Sequence, residues 1–441
     1  MIQSAMRSDC PKCDAVVNAH LEYEPAGAFL VKRCATHGES RTLFAKNADF
    51  HRRARELSND GLWPEGPLDV FGDAATQMLT TFAIDVTTRC NMTCPTCVSN
   101  ADTAKGSVDR PLEEILSWVP DFSRDRRRFR PNISLVGGES TLREDLPDII
   151  RGVIAKGLLP RLNSNGLTLR NPELLNRLWD AGLRWVILQF DGFTGVGSRE
   201  FRGKDHTRVK LDVVDRLAER GYFVHLAVMV QQGVNETEAA DVLRYAMERP
   251  NVRRVSFYPR SRIGRFAAPD GGFTDVGDLV RELERGTAGE LNADDLIDAK
   301  RIGHWMYRLT RHPMFFQRAC IYPFMLLGHR GRMIPVSRLF RPSWAFRHPG
   351  ALWTMIRALP ALFRPDSGRY PANLLYVNIE KFYDRDAFDF EQSRNCHHVY
   401  LTDKGAFPFC VYNQFHREAA PVPVDFLRAP IEDDLPSAKS A

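Results

Sequence analysis

The sequence predicts an α/β protein: a partial (β/α)6 TIM-type barrel, preceded by a small metal-knuckle domain and followed by a further cysteine-bearing domain. Three observations predict it. Apolar runs alternate with helical patterns between about residues 75 and 270; nine cysteines fall into three groups of three; and residues 301–365 contain eleven Arg but no Asp or Glu. A chain of 441 residues has room for roughly two to three domains of about 150 residues each. With 44% hydrophobic and 26% charged residues it can bury a sizeable core, and a net charge of +5 is modest for this length. No run of about 18 apolar residues is present to span a bilayer. The opening Met-Ile-Gln-Ser-Ala-Met-Arg lacks the apolar stretch of a cleavable signal, so a cytoplasmic protein is expected. An odd number of thiols in such a compartment points to metal ligands rather than disulfides.

Residues 1–60 form the first unit, of zinc-ribbon or rubredoxin type. Cys10-Pro-Lys-Cys13 aims two thiolates at one point, and a hairpin follows, Asn18–Glu24 and Ala28–Arg33 about a Pro25-Ala26-Gly27 turn. Cys34-Ala-Thr-His37 supplies a second pair. Three sulfurs and an imidazole complete a tetrahedron suited to structural zinc or mononuclear iron. A unit this small folds with the help of such an ion.

The barrel occupies residues 75–270. Expected strands are Thr81–Val86, Asn132–Val136, Pro160–Asn163, Trp185–Phe190, Phe223–Val230 and Arg253–Tyr258. The helices between them are Pro111–Val119, Asp145–Ala155, Pro172–Ala181, Thr207–Arg220 and Glu236–Arg249. Six such units imply a parallel sheet with right-handed crossovers and a site at the carboxyl ends of the strands.

At the first of those ends stands Cys90-Asn-Met-Thr-Cys94-Pro-Thr-Cys97. Three thiolates this close can wrap one corner of a [4Fe–4S] cluster and leave the fourth iron open to a small chelating ligand. Cys-x3-Cys-x2-Cys after the first strand resembles the radical S-adenosylmethionine (SAM) superfamily. The resemblance implies that Cys90, Cys94 and Cys97 hold a cluster on which SAM is cleaved to methionine and a 5′-deoxyadenosyl radical. It also implies SAM-binding roles for Gly137, Gly138 and Glu139 after the second strand, and for Asn163, Ser164 and Asn165 at the third. Gln189 and Asp191 follow the fourth strand, then Arg202, and Asn235 follows the fifth. Two departures are visible: Thr96 stands where many relatives have an aromatic residue, and Ser140 where most have proline.

Residues 300–420 form the last unit, an Arg-rich helical and auxiliary iron–sulfur domain, and residues 421–441 a Pro-rich acidic tail expected to be disordered. Cys320, Cys396 and Cys410, with the N-terminal knuckles, make the chain similar to the branch holding archaeal tetraether lipid synthase and dihydropterin methylases. That branch implies an auxiliary [4Fe–4S] cluster on these three thiolates, with His397 or His398 as a conceivable fourth ligand; a zinc site or buried thiols is the alternative. Leu62–Phe82 lacks the extra cysteines common in that branch. The resemblance implies C–C bond formation on a lipid chain, or else methylation of a pterin-like small molecule or peptide maturation, with an electron donor such as ferredoxin or flavodoxin. The acid-free stretch, including Leu352–Arg364, suggests contact with anionic headgroups at the inner membrane face; the plainer reading pairs its arginines with acids elsewhere. Arg124–Arg130 is basic, but no nucleic-acid module accompanies it, so no nucleic-acid partner is expected.

Overall fold

The computed structural model describes residues 2–13, 15–62, 79–101, 109–124, 130–265, 274–362, 373–394 and 396–417. The acidic tail from 421, and residues 125–129 of the basic run, lie outside them.

The N-terminal unit is a four-stranded antiparallel sheet in chain order: β1 (Ile2–Asp9), β2 (Val16–Glu24), β3 (Gly27–Cys34) and β4 (Gly38–Ala45). Gly27 turns the β2–β3 hairpin at φ +145°, where a Cβ would lie 2.7 Å from the Ala45 carbonyl oxygen, so no other residue fits. Helix α1 (Ala48–Glu56) is capped by Asn47, whose side chain accepts from the Phe50 amide, and it buries Phe50, His51 and Ala54. Ion pairs Arg7–Glu391 (2.6 Å), Lys46–Asp278 (2.8 Å) and Arg55–Asp389 (3.2 Å) tie this unit to the rest.

All six expected barrel strands form. They are β5 (Thr81–Thr87), β6 (Asn132–Gly137), β7 (Leu159–Ser164), β8 (Trp185–Gln189), β9 (Phe223–Val230) and β10 (Val252–Pro259). Helices α2 (Leu112–Trp118), α3 (Leu146–Ala155), α4 (Pro172–Asp180), α5 (Val196–Arg202), α6 (Thr207–Arg220) and α7 (Ala239–Met247) cross between them. Their apolar faces, with Ile149, Leu178, Val213 and Leu243 fully buried, pack on the outward side chains of the strands.

The C-terminal region departs from the expected helical domain. After α8 (Val276–Gly286) and α9 (Ala293–Thr310) come β11 (Ile321–His329), β12 (Arg332–Pro335), α10 (Pro342–Arg347), α11 (Pro349–Leu362), β13 (Leu374–Glu380), β14 (His398–Thr402) and β15 (Gly405–Pro408). These strands join the barrel sheet, whose order is β12-β11-β13-β10-β9-β8-β7-β6-β5-β14-β15. β13 runs parallel to β10, and β14 parallel to β5. Two strands from the far end of the chain thus flank the six, giving eight parallel strands with antiparallel β11, β12 and β15 outside them. The sheet stays open, so the barrel is partial.

Several arginines of the acid-free stretch answer acids just upstream. Arg338 meets Asp295 (2.6 Å), Arg341 meets Asp298 (2.5 Å) and Arg332 meets Glu290 (3.2 Å). Among the described residues no helix is long and apolar enough to cross a membrane.

Candidate active site and metal centres

The knuckle residues converge as their spacing predicts. The ligand atoms of Cys10, Cys13, Cys34 and His37 all lie within 4.8 Å of one another. Cys13 Sγ is 3.9 Å from Cys34 Sγ, and His37 Nδ1 is 3.6 Å from both Cys10 Sγ and Cys34 Sγ. A tetrahedral ion with bonds of about 2.3 Å to sulfur needs sulfurs about 3.8 Å apart, so these residues fit one metal ion. The backbone N–H groups of Lys12 and Cys13 favour a thiolate at Cys10 and bring its pKa down to about 6.

Cys90, Cys94 and Cys97 lie on the loop that leaves β5, at the carboxyl end of the sheet, and all three face one central cavity of about 520 Å³. Burial pushes the Cys90 thiol up to about 11 and raises Cys94 as well, so an electropositive cluster is what would make thiolates of them. The loop is held from three sides. Gly137 and Gly138 let β6 approach so closely that a Cβ on Gly138 would lie 1.9 Å from the Arg89 carbonyl oxygen. Arg265, after β10, donates to the Cys94 carbonyl (2.8 Å) and its own amide to Cys97 O (2.9 Å). Thr96, the residue that departs from many relatives, is buried and donates to Phe201 O (3.0 Å). Ser140, the second departure, is likewise buried and turned toward the Leu135 carbonyl (3.3 Å).

Of the other residues singled out from the sequence, Gly137, Gly138, Glu139, Asn163, Ser164, Asn165, Gln189 and Arg202 line the same cavity. Glu139 is fixed by Ser164 Oγ (2.9 Å) and the Asn165 amide (2.7 Å), joining the ends of β6 and β7. Asp191 and Asn235 stand one layer out. Asp191 takes a bidentate pair from Arg202 (2.8 and 2.7 Å), and Asn235 donates to the carbonyls of Asp191 (3.0 Å) and Met229 (2.8 Å). Burial works against the Arg202 charge, but Asp191 outweighs it and keeps the guanidinium protonated. Lys210, behind them, bonds Asn165 O and Gln189 Oε1; burial brings its pKa down to about 8.

The lower part of the cavity was only partly legible in the sequence: of its polar residues, Asn163 and His398 were expected, in other roles. Strands buried on both faces read as apolar runs, yet here their inward positions are polar: Ser134, Asn163, His225, Ser256, Asn378, Glu380 and His398. Asn378 Nδ2 (2.8 Å) and Ser256 Oγ (3.2 Å) both donate to Glu380 Oε1. Ser256 therefore accepts from His225 Nε2 (2.8 Å), which fixes that proton and leaves Nδ1 as an acceptor. Burial, with Arg254 and Arg161 nearby, holds His225 neutral. His225 Nδ1, Asn163 Oδ1, Asn378 Oδ1 and His398 Nε2 are buried without a protein partner. Above them Tyr258, Phe382 and Phe409 stack at 5.4 and 4.7 Å within 25° of parallel, a flat aromatic wall.

Cys320 precedes β11, Cys396 precedes β14 and Cys410 follows β15, so the third group draws on both edges of the open sheet. Burial raises Cys410, and the charges of Cys396 and Cys320 raise it further; burial takes Cys320 to about 11. Two buried cations sit among them. Arg318 is 2% and Lys300 0% exposed, and Lys300 donates to the Ile321 carbonyl (2.8 Å). Asp60 is the carboxylate shared by this group. Arg318 favours the charged form of Cys320, and three thiolates drawn together beside two buried cations fit an anionic cluster. His397 and His398 are held neutral by burial.

Residues 84–246 match the model of the radical SAM superfamily, and residues 2–46 match the HMPTM N-terminal zinc ribbon domain. The chain is 26% identical to 7,8-dihydro-6-hydroxymethylpterin dimethyltransferase of Methanocaldococcus jannaschii, with 93% of each protein covered. It is 28% identical to GTP 3′,8-cyclase of Listeria monocytogenes over 41% of this chain and 55% of that one, and 28% identical to Fe-coproporphyrin III synthase of Methanosarcina barkeri over 41% and 44%. The chain carries a radical SAM domain and is an enzyme of that kind; the family implies a [4Fe–4S] cluster and SAM.

Proposed function

We propose that this radical SAM enzyme methylates a flat, polar heterocycle of the pterin class held inside the barrel. One observation carries the reading: besides Asn163 on the SAM side, the cavity turns three buried, unpartnered acceptors, or potential acceptors, toward its occupant, at His225, Asn378 and His398. Leaving each unpaired costs roughly 1–3 kcal/mol, so the occupant must be rich in N–H donors. An amino-dihydropterin is such a molecule, and the likeness to a pterin methylase along 93% of both chains agrees with it. A lipid chain would meet polar atoms with nothing to offer them, so lipid C–C bond formation is set aside.

In this reading Cys90, Cys94 and Cys97 bind the SAM cluster. Gly137, Gly138, Glu139, Asn163, Ser164, Asn165, Gln189 and Arg202 surround SAM, and Asp191 and Asn235 hold that shell in place. When bound, cluster and SAM would supply the 5′-deoxyadenosyl radical that takes hydrogen from substrate, and a second SAM would supply the methyl group, its methyl–sulfur bond breaking and one returned electron leaving S-adenosylhomocysteine. Glu380 receives the amino edge of the heterocycle, the aromatic wall of Phe382 and Tyr258 covers its face, and the filled barrel excludes water. Cys320, Cys396 and Cys410 would hold an auxiliary cluster, a group able to return that electron. Cys10, Cys13, Cys34 and His37 hold a structural ion. A small reduced protein such as ferredoxin or flavodoxin feeds the first electron.

The test is anaerobic holoenzyme given SAM, a reductant and 6-hydroxymethyl-7,8-dihydropterin. We expect 5′-deoxyadenosine release to rise with pterin, a methylated pterin by mass, and a KM raised at least about tenfold in Glu380→Gln. Release indifferent to the pterin would overturn the reading.

A membrane contact has its own support. Six of the eight large apolar side chains exposed among the described residues, Trp305, Leu309, Phe340, Phe346, Trp353 and Ile356, lie in one stretch of about fifty residues. We expect the chain to pellet with vesicles and Trp353→Ser with Phe346→Ser to release it; equal pelleting of that double variant would end this part of the proposal.

A further inference from the structure

Along β9 the side chains alternate: His225, Ala227 and Met229 line the cavity, while Val224, Leu226 and Val228 pack into the core. His225 therefore points inward, with 4% of its surface exposed. Beside it the register sets Ser256 of β10 opposite Ala227 on one side and Asn378 of β13 on the other. Glu380 closes this row. Its Oε1 accepts from Asn378 Nδ2 (2.8 Å) and Ser256 Oγ (3.2 Å), and the Arg254 guanidinium lies 3.6 Å from the same oxygen. A carboxylate only accepts, so the one serine proton is committed to it, and the serine oxygen takes the proton-bearing nitrogen of His225 (2.8 Å). The acid at one end of this relay thereby decides which imidazole nitrogen keeps a lone pair. That nitrogen, Nδ1, is buried without a protein partner. An imidazole outside such a relay can carry its proton on either nitrogen, and so meets a ring N–H or a bare ring nitrogen equally well. His225, held neutral by burial, meets only the first.

We propose that His225 is a specificity-determining residue: its Nδ1 accepts a ring N–H of the bound heterocycle, and Ser256 and Glu380 are the positioning residues that keep it an acceptor. This rests on the reading of the cavity as a pterin-class site and sharpens it. A heterocycle whose facing nitrogen carries hydrogen is admitted, and one whose facing nitrogen is bare or alkylated is refused. The wrong ligand leaves a buried acceptor unpaired, which is how a site built for an N–H discriminates strongly. A 7,8-dihydropterin carries ring N–H groups at N3 and N8. Oxidation to the aromatic pterin strips the hydrogen from N8, and methylation replaces the one at N3. According to which N–H it takes, His225 reads the oxidation state of the ring or the lactam of its pyrimidine half.

The experiment measures anaerobic binding to reconstituted holoenzyme by calorimetry, with SAM present and no reductant, so that nothing turns over. The ligands are 6-hydroxymethyl-7,8-dihydropterin, its fully oxidised pterin and its 3-methyl derivative. The parent should bind at least one of the two analogues about tenfold or more weakly than the dihydropterin. In His225→Ala that ratio should fall to about one, and in His225→Asn, whose amide oxygen can stand near the Nδ1 position, it should be kept. Ser256→Ala leaves the imidazole in place but frees its proton, and should lower the ratio at least about threefold. A merely structural role would weaken all the ligands alike and leave the ratio where it was. Equal binding of the ligands by the parent overturns the assignment while the pterin reading stands. So does a ratio unmoved in His225→Ala or, where that variant does not fold, in Ser256→Ala. A parent that binds none of the ligands removes the pterin reading, and the assignment with it.

Discussion

The N-terminal ribbon and the cysteine group at the sheet edges are both three-sulfur sites, built in opposite ways. In the ribbon, four ligands come from two adjacent turns of one small sheet; they already stand within 4.8 Å of one another, and Cys13 is exposed. At the sheet edges, Cys320, Cys396 and Cys410 come from three segments spread over ninety residues, and burial raises Cys320 and Cys410. The first site needs only local folding, and its metal can stabilise it alone. The second exists only once the C-terminal strands have docked on both edges of the barrel. A ribbon metal should therefore matter to the ribbon, and an edge cluster to the whole molecule.

The SAM loop marks the upper end of that scale and separates chemistry from stability. It too is local, yet in the proposed reading it carries the reaction. Cys97→Ala should lower 5′-deoxyadenosine formation by at least about 10³-fold, roughly 4 kcal/mol of barrier, while the melting temperature moves little. Activity surviving that change would put the chemistry elsewhere. Cys410→Ala should behave differently. Losing an anionic cluster beside the buried Arg318 and Lys300 removes negative charge that adds to that of Asp60, a loss of about 3–5 kcal/mol in stability, and iron content should fall by roughly half. Denaturant unfolding with iron analysis reads both. A variant of full stability and reduced iron would show that the edges close without the cluster.

Cys13→Ser should be milder for the whole chain. Hydrogen exchange in β1–β4 should lose its protection while the barrel amides keep theirs, because Arg7–Glu391 and Arg55–Asp389 are the kind of contact that contributes about 1–3 kcal/mol in total. Barrel exchange rising together with ribbon exchange would join the two regions into one folding unit and erase the contrast.

This difference in range also explains what the sequence revealed. The ribbon ligands were legible from spacing, as was Cys90-x3-Cys94-x2-Cys97, because all their partners lie within a few tens of residues. The six apolar runs gave β5 to β10 to within about two residues. β13 and β14 were not read as barrel strands, since their partners, β10 and β5, lie more than a hundred residues away in the chain. The polar belt was hidden for another reason. In a strand buried on both faces, hydropathy cannot say which side chains point inward, so His225 passed unnoticed inside Phe223–Val230. The acid-free stretch hid its own partners: Asp295 and Asp298, which answer Arg338 and Arg341, lie just before its first residue.

The smallest expected effect tests the seam between ribbon and barrel. His51 sits on α1, almost fully buried, with Nδ1 3.0 Å from the Tyr23 hydroxyl of β2 and its ring 5.3 Å from that of Phe44 on β4. Burial first, then the charges of Arg55 and Lys300, bring its pKa down to about 3. A histidine held neutral in the folded chain takes up a proton on unfolding, so the unfolded state gains as pH falls below the ordinary value of 6.5, and the loss continues down to the folded value near 3. At pH 5 this amounts to about 2 kcal/mol relative to pH 7. Other buried histidines add to the acid slope of the whole chain, so the informative quantity is a difference. His51→Leu should lack about 2 kcal/mol of the acid destabilisation seen in its parent, in urea unfolding at pH 7 and pH 5, with the change located by exchange at α1 and the ribbon. If the two slopes are parallel, the ribbon opens at that seam before His51 titrates, and its attachment to the barrel is weaker than its ion pairs suggest.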